Sequence, residues 1–431
     1  MKKIFFFIVM ILVNVSTLMN AQTELLQDLI NEALRVSPEI KMLNAKIIAV
    51  ESKVEQNSNL PDPMYSIGIM SLPVSSFAFN EEMMTGKVIG LSQEFPFPGK
   101  LSTIRNSREK DVEIVKLELA EKQNEIQKQI TQLYYDLINI RKELELTEKS
   151  KKLLEDILEV VRSMYSSAQS SQQNIFRLEL ELSKMNDMIF ELKGEENEIV
   201  SRINSFLLRD LNTPILTEYI NDINFFSFTV DELISKADES RPYLKSLLLS
   251  EQREKINQSI AEYDYYPMFK ISGQYAFREK LKGVEMPPSD LISVMLDVSL
   301  PLNYGGKVTA MVDETKAMQE MYMQQYDASL QMLRSEFGMI TSKLNSLKQR
   351  IELLQQGSLT QASSNYQSAL TAYQVGEIDF MNVIEAQTEL LNIEKDLSRF
   401  RTKYLKLLSD IEFLTGYKIS NKFNNGDRNE K

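Results

Sequence analysis

The stretch Gly90-Leu91-Ser92-Gln93-Glu94-Phe95-Pro96-Phe97-Pro98-Gly99-Lys100 changes its period part-way along. Up to Phe95 the residues alternate: Ile89, Leu91 and Phe95 fall on one side, Val88, Gly90, Ser92 and Glu94 on the other. A repeat of two is that of a strand. From Leu101 to Met164 there is neither proline nor glycine, and apolar residues return every three or four positions, which predicts a very long helix. Pro96 and Pro98 have no amide to continue a strand's ladder, so the change falls on them. The same event recurs where Val294, Leu296, Val298 and Leu300 alternate with Met295, Asp297 and Ser299 up to Pro301, and Gly305-Gly306-Lys307 opens a second long helix.

The recurrence extends outward in both directions. Leu29-Ile30, Ala33, Pro38 and Pro63 find Leu233-Ile234, Ala237, Pro242 and Pro267 at a constant shift of 204 residues, and Pro96 finds Pro301 at 205. Ile175, Leu178, Leu182, Met185, Ile189 and Leu192 step by three and four, and Val383, Ala386, Leu390, Ile393, Leu397 and Phe400 take the same steps 208 residues later. A period near 200 lies far beyond that of a solenoid and marks a duplication. The expected organisation is a targeting segment (1–21), a first repeat (22–210), a linker (211–228), a second repeat (229–416) and a polar tail (417–431). Strands are expected about 64–72, 87–95, 268–278 and 290–300, with helical hairpins about 100–208 and 307–415. The hairpins turn near Ser166–Asn174 and Gln374–Asp379, and their sustained apolar seams demand a partner helix.

Composition narrows the chemistry. The 431 residues include no cysteine, histidine or tryptophan, which excludes disulfides, thiolate metal sites and imidazole catalysis. A net charge of −12 argues against nucleic acid as a general partner. Lys2 and Lys3, the apolar run Ile4 to Val13 and Ala21 read as a cleaved export signal, a retained anchor being the alternative. No later stretch could span a bilayer as a helix, so any membrane passage falls to the strands. Ile67, Ile89, Leu91, Ile271, Tyr275, Phe277, Val294 and Leu296 share the apolar strand face and are expected to meet lipid. Arginine should then be far milder at Ser272, on the other face, than at Ile271. Four strands cannot close a barrel, so several copies must supply the rest; a soluble sheet with one wet face is the alternative. Met83-Met84, Met311, Met318, Met321 and Met323 could be soft metal ligands, but packing is the simpler account. Neither Glu81-Glu82 nor the acidic residues of the second hairpin turn have a nucleophile or base beside them, so no enzyme is expected.

With those residues in place, the chain resembles the TolC-like outer-membrane efflux family over nearly its whole mature length. Asp62-Pro63-Met64 and Ser92-Gln93-Glu94-Phe95-Pro96-Phe97-Pro98-Gly99-Lys100 are similar to the branch serving heavy-metal pumps of the resistance-nodulation-division (RND) class. Tyr373-Gln374-Val375-Gly376 with Asn382-Val383-Ile384-Glu385-Ala386-Gln387 matches a family motif. The resemblance implies an α+β membrane protein: a homotrimer whose protomers give four strands each to one 12-stranded transmembrane β-barrel, continued by a periplasmic α-barrel of coiled-coil hairpins. It implies the outer membrane of a Gram-negative bacterium, a periplasmic adaptor (membrane fusion protein), an inner-membrane RND pump and no cofactor. The implied function is a passive exit duct for heavy-metal cations. The same duct for drugs or type I secretion, and an exported coiled-coil tether without a pore, are the alternatives. The hairpin tips, Ser166, Ser167, Ala168, Val375, Gly376 and Glu377, are expected to meet the adaptor. The family's two constriction acids fall on Asn382 and Glu385, so one acid is replaced, and Asp379 is a candidate for a second ring.

Overall fold

Each repeat contributes two helices, two strands and a helical hairpin to the computed structural model, which describes residues 21–218, 220 and 223–419. The expected export signal up to residue 20 and tail residues 420–431 lie outside the described residues. In chain order the elements are α1 (Ala21–Val36), α2 (Pro38–Ser58), β1 (Met64–Met70), β2 (Gly86–Phe95), α3 (Lys100–Ser166) and α4 (Gln172–Leu207). The second repeat follows with α5 (Val230–Ser240), α6 (Pro242–Glu262), β3 (Phe269–Phe277), β4 (Leu291–Val298), α7 (Lys307–Leu353), α8 (Leu359–Gln374) and α9 (Phe380–Thr415). Ser37 caps α2 through its hydroxyl, which accepts from the Ile40 amide at 3.4 Å, while Pro38 takes the first helical position where no donor is needed. A single π-type stretch, Leu354–Ser358, joins α7 to α8 without interrupting the helical path.

The chain divides into two compact units that cut across the repeats. One consists of Leu43–Glu118 and Lys245–Ala328, and contains the sheet. Its strands are antiparallel in the order β1-β2-β3-β4, leaving β1 and β4 as edges. The register aligns the apolar residues in rows across the sheet: Ile67, Ile89, Tyr275 and Ile292 form one, and Tyr65, Leu91, Gly273 and Val294 the next. On the other face Ser66, Gly90, Gln274 and Ser293 align. That face is tightly curled. A Cβ at Gly90 would lie 2.6 Å from Ser66 Oγ and 3.1 Å from Gln274 Cγ, so a larger residue there would have to turn the Ser66 hydroxyl aside. Beyond the strands, α2 lies along α3 with Lys46–Glu118, Lys116–Glu51 and Arg105–Glu55 ion pairs, exposed and individually worth at most about 1 kcal/mol.

The other unit holds the remaining described residues and carries the helical seams. One core joins α1 (Leu29, Ile30, Ala33) to α3 (Ile126, Ile130, Leu133, Leu137) and the end of α4 (Val200, Ile203, Leu207). Several described residues between α4 and α5 are held by hydrogen bonds. Buried Asn204 donates to the carbonyls of Leu211 and Thr213, Arg141 donates to the Ile215 carbonyl at 2.8 Å, and the Phe226 amide donates to Tyr404 Oη at 2.8 Å. A second core brings both hairpins together, with Leu154, Leu158 and Val161 of α3 and Leu178 of α4 against Tyr366 of α8 and Phe380, Val383 and Ile384 of α9.

Candidate functional site

The two hairpin tips have the same construction. At the first, α3 ends with Ala168 N–H donating to Tyr165 O and Gln169 N–H to Met164 O at 2.8 Å. At the second, Gly376 N–H donates to Tyr373 O and Glu377 N–H to Ala372 O at 2.9 Å. This is the paired closure that a left-handed residue allows after a helix. The left-handed positions are Ala168 (φ +59°) and Gly376 (φ +78°), 208 residues apart like the hairpin seams. The sequence reading named both as tip residues, but an alanine carries no signal for left-handed backbone and that part was missed.

Tyr373 ties the tips together. Its ring lies edge-on to Phe380 at 5.5 Å, and its hydroxyl donates to the sulfur of Met164 at 3.4 Å. Burial pushes that hydroxyl's pKa up, and the charge of Asp379 adds to the rise. Asp379 itself caps α9, accepting from the Met381 amide at 2.8 Å. Its carboxylate is therefore committed to the helix end, where the macrodipole also favours it.

Past the cap, the buried side of α9 carries Val383, Ile384, Ala386 and Gln387, and the exposed side carries Asn382, Glu385 and Glu389. Asn382 turns back to donate to Asp379 O at 3.2 Å. Glu385 and Glu389 are four residues apart on one face and, among the described residues, neither has a cation partner. Together with Thr388, Asn392 and Glu181 of α4 they line an open groove of about 490 Å³. The sequence reading named Asp379 and Asn382 on the tip side of Glu385; Glu389 is a further exposed acid on the same face. The spacing Glu385–Glu389 was the available signal.

On the sheet, Ile67, Leu91, Ile271, Phe277, Val294 and Leu296 are exposed on the face expected to meet lipid, with Ile89 barely so and Tyr275 half-buried. Two expectations are corrected. Ser272 is not an open position: it is 7% exposed inside the curl of the sheet with its hydroxyl unpartnered, so a bulky residue there would be crowded. Packing does not account for Met83 and Met84 either, because they stand in the loop between β1 and β2 at 61% and 56% exposure. That loop is laced to the one between β3 and β4. Arg278 donates to Met83 O and Ser289 O, and Lys282 pairs with Glu81 at 3.2 Å. A hydrogen bond from Ser76, followed by those of Lys282, holds Glu81 below the usual carboxylate range.

Residues 233–417, nearly the whole second repeat, match the family model described as outer membrane efflux protein. The second repeat is thus similar to this family. The chain has the TolC-like channel fold. Similar solved structures include VceC from Vibrio cholerae (16% identical, TM-score 0.74, covering 91% of this chain and 96% of that one). CusC is 14% identical at a TM-score of 0.75, over 92% of this chain and 93% of that one. The Campylobacter jejuni CmeC outer membrane channel is 16% identical at 0.71, over 95% and 90%. A comparison with curated proteins found no match. The carboxylates of α9, the matched tips and the apolar strand face are the candidate functional features.

Proposed function

We propose that three copies of this chain close a 12-stranded barrel in the outer membrane of a Gram-negative bacterium and form the passive exit duct of a tripartite RND efflux system, with heavy-metal cations as cargo. The observation that carries this reading is the sheet: four strands with an exposed apolar face and two unpaired edges. An open edge in lipid leaves backbone donors and acceptors unsatisfied, so β4 of one copy must find β1 of another. A periplasmic tether without a pore would need no such face. Two further exposed seams suit a closed ring of hairpins, Phe176, Leu180 and Phe190 on α4 and Met332, Met339 and Leu353 on α7. The metal cargo rests on the Ser92–Lys100 and Asp62–Met64 motifs.

In this reading the tips receive the periplasmic adaptor, which in turn holds the inner-membrane pump. Ser166, Ser167, Ala168, Val375, Gly376 and Glu377 surround the two left-handed turns, and Gly376 has open space around it. Gly376→Val fills none of that space badly, but a β-branched residue at φ +78° costs about 1–2 kcal/mol and reshapes the turn. Efflux should fall sharply in a resistance assay while the trimer remains in the membrane. Full resistance in the variant would remove the tip from the docking surface.

The constriction is assigned to Glu385, with Asn382 and Asp379 on its tip side and Glu389 one turn further on. Three copies of an unpaired carboxylate in a narrow passage favour cations and repel anions. In single-channel recordings of the purified protein, Glu385→Ala should lower cation selectivity and weaken block by divalent cations, and adding Glu389→Ala should lower both further. Unchanged selectivity and block in the double variant would place the narrowest point elsewhere.

A further inference from the structure

The duplication lets one junction inside the chain stand as the template for another that the chain cannot make alone. α2 and α6 are both 21 residues long and start on Pro38 and Pro242, 204 residues apart. α3 and α7 both start on a lysine, Lys100 and Lys307. Within the chain, the turn from β2 into α3 lies against the turn from α6 into β3. Lys100 is ion paired to Asp264, Phe97 stacks on Tyr266 at 4.5 Å, and Phe95 and Phe97 are half-buried.

The second repeat has the same turn without the partner. Leu300, Leu302 and Tyr304 are exposed between β4 and α7, Tyr304 at 94%. Lys307 is exposed and, among the described residues, unpaired; Asp264, with which it shares a cleft, is already held by Lys100. The element equivalent to α6–β3 is α2–β1, and β1 lies at the opposite edge of the sheet from β4. Only another copy can bring an α2–β1 turn to Lys307. In that turn Asp264 corresponds to Leu60, and the one acid between Asn59 and Met64 is Asp62, two residues further on. The second hinge is longer by the same amount, since Lys100 follows Pro96 by four residues and Lys307 follows Pro301 by six. Asp62 is exposed, and no partner for it is found among the described residues.

We propose that the β4–α7 turn of one copy docks on the α2–β1 turn of the next, with Lys307 ion paired to the neighbouring copy's Asp62 and Leu300, Leu302 and Tyr304 covering its Leu60 and Met64. This pair is the intermolecular counterpart of Lys100–Asp264, and it rests on the trimeric reading above. It selects one direction round the ring, because the lysine and the acid lie at opposite edges of each copy's sheet.

The chain has no cysteine, so Asp62→Cys with Lys307→Cys in the full chain introduces the only two thiols. Mild oxidation of membranes carrying the double variant should give disulfide-linked dimers and trimers on a denaturing gel, and each single variant should give monomer. As an independent measure, Asp62→Lys and Lys307→Asp should each lower the temperature at which the detergent-resistant trimer dissociates, and the double swap should recover most of the loss. An amine-reactive cross-linker applied to the unsubstituted protein separates the two levels of the argument. Trimers with that reagent but no thiol-linked ladder, or a disulfide confined within one chain, would overturn the Lys307–Asp62 contact and leave the trimer standing. Monomer with both reagents would overturn the trimer and the contact together.

Discussion

Leu91→Arg should strip assembled protein from the outer membrane, while Gln274→Arg should leave its level nearly unchanged. Leu91 belongs to the central row of the apolar face, with Tyr65, Gly273 and Val294 beside it, and is 58% exposed within its own chain. It therefore has little intrachain packing to lose, and the penalty comes from its surroundings in the proposed trimeric barrel. Arginine on the lipid face of a barrel at the bilayer midplane costs about 2–4 kcal/mol. At about 1.4 kcal/mol per decade that is roughly thirty- to nine-hundred-fold in the folded population. Gln274 is half-buried on the opposite face, in the row of Ser66, Gly90 and Ser293, and is already long and polar. Exchanging it for arginine should change stability by less than about 1 kcal/mol. The readout is the amount of detergent-resistant trimer in outer-membrane fractions. A soluble sheet with one wet face predicts the reverse order, since Leu91 would point into water and Gln274 into the curl.

That comparison uses Gln274 because Ser272, on the expected face, is buried. Alternation separates the strand residues into the same two faces as the register does, since a period of two is a property of the backbone. It could not give curvature, which depends on how closely β1 to β3 approach across Gly90, and curvature is what buries Ser272, Val88 and Ala276. The helices show the same division. Leu333, Phe337, Ile340, Leu344, Leu347 and Ile351 are buried as their three-four spacing requires. The π-type stretch at Leu354–Ser358 changes no spacing that could be read, as it inserts itself in a run of polar residues around Gly357. At the tips, Gly376 announced its left-handed backbone and Ala168 did not, although the two turns have the same hydrogen bonds. On α9 the family motif drew attention to Asn382 and Glu385. The exposed partner four residues on, Glu389, became visible only when the buried side of the helix had been identified from Val383, Ile384 and Gln387.

A single added methyl group should have a still larger effect in the helical unit at Gly416. Gly416 closes α9 in the left-handed conformation at φ +67°, its amide donating to Phe413 O. A Cβ built there would lie 2.8 Å from Ser240 O and 3.0 Å from Arg241 Cα, at the end of α5. These are backbone atoms, so relief requires moving one helix end off the other rather than rotating a side chain. Arg241 cannot follow freely, because it also donates to Glu121 of α3 at 3.2 Å and lies 5.5 Å over the ring of Phe413. The left-handed residue accounts for about 1–2 kcal/mol and the crowding for about 1–3 more. Gly416→Ala should therefore destabilise by about 2–5 kcal/mol, visible as a lower denaturation midpoint and a lower yield of folded protein. Gly194 supplies the contrast, being a glycine within α4 with nothing inside 4 Å of its Cβ position. Gly194→Ala should stabilise by up to about 1 kcal/mol through helix propensity. If both substitutions behaved like Gly194→Ala, the ends of α5 and α9 would not be in contact, and the close approach of the two ends of the second repeat at Ser240 and Gly416 would have to be abandoned.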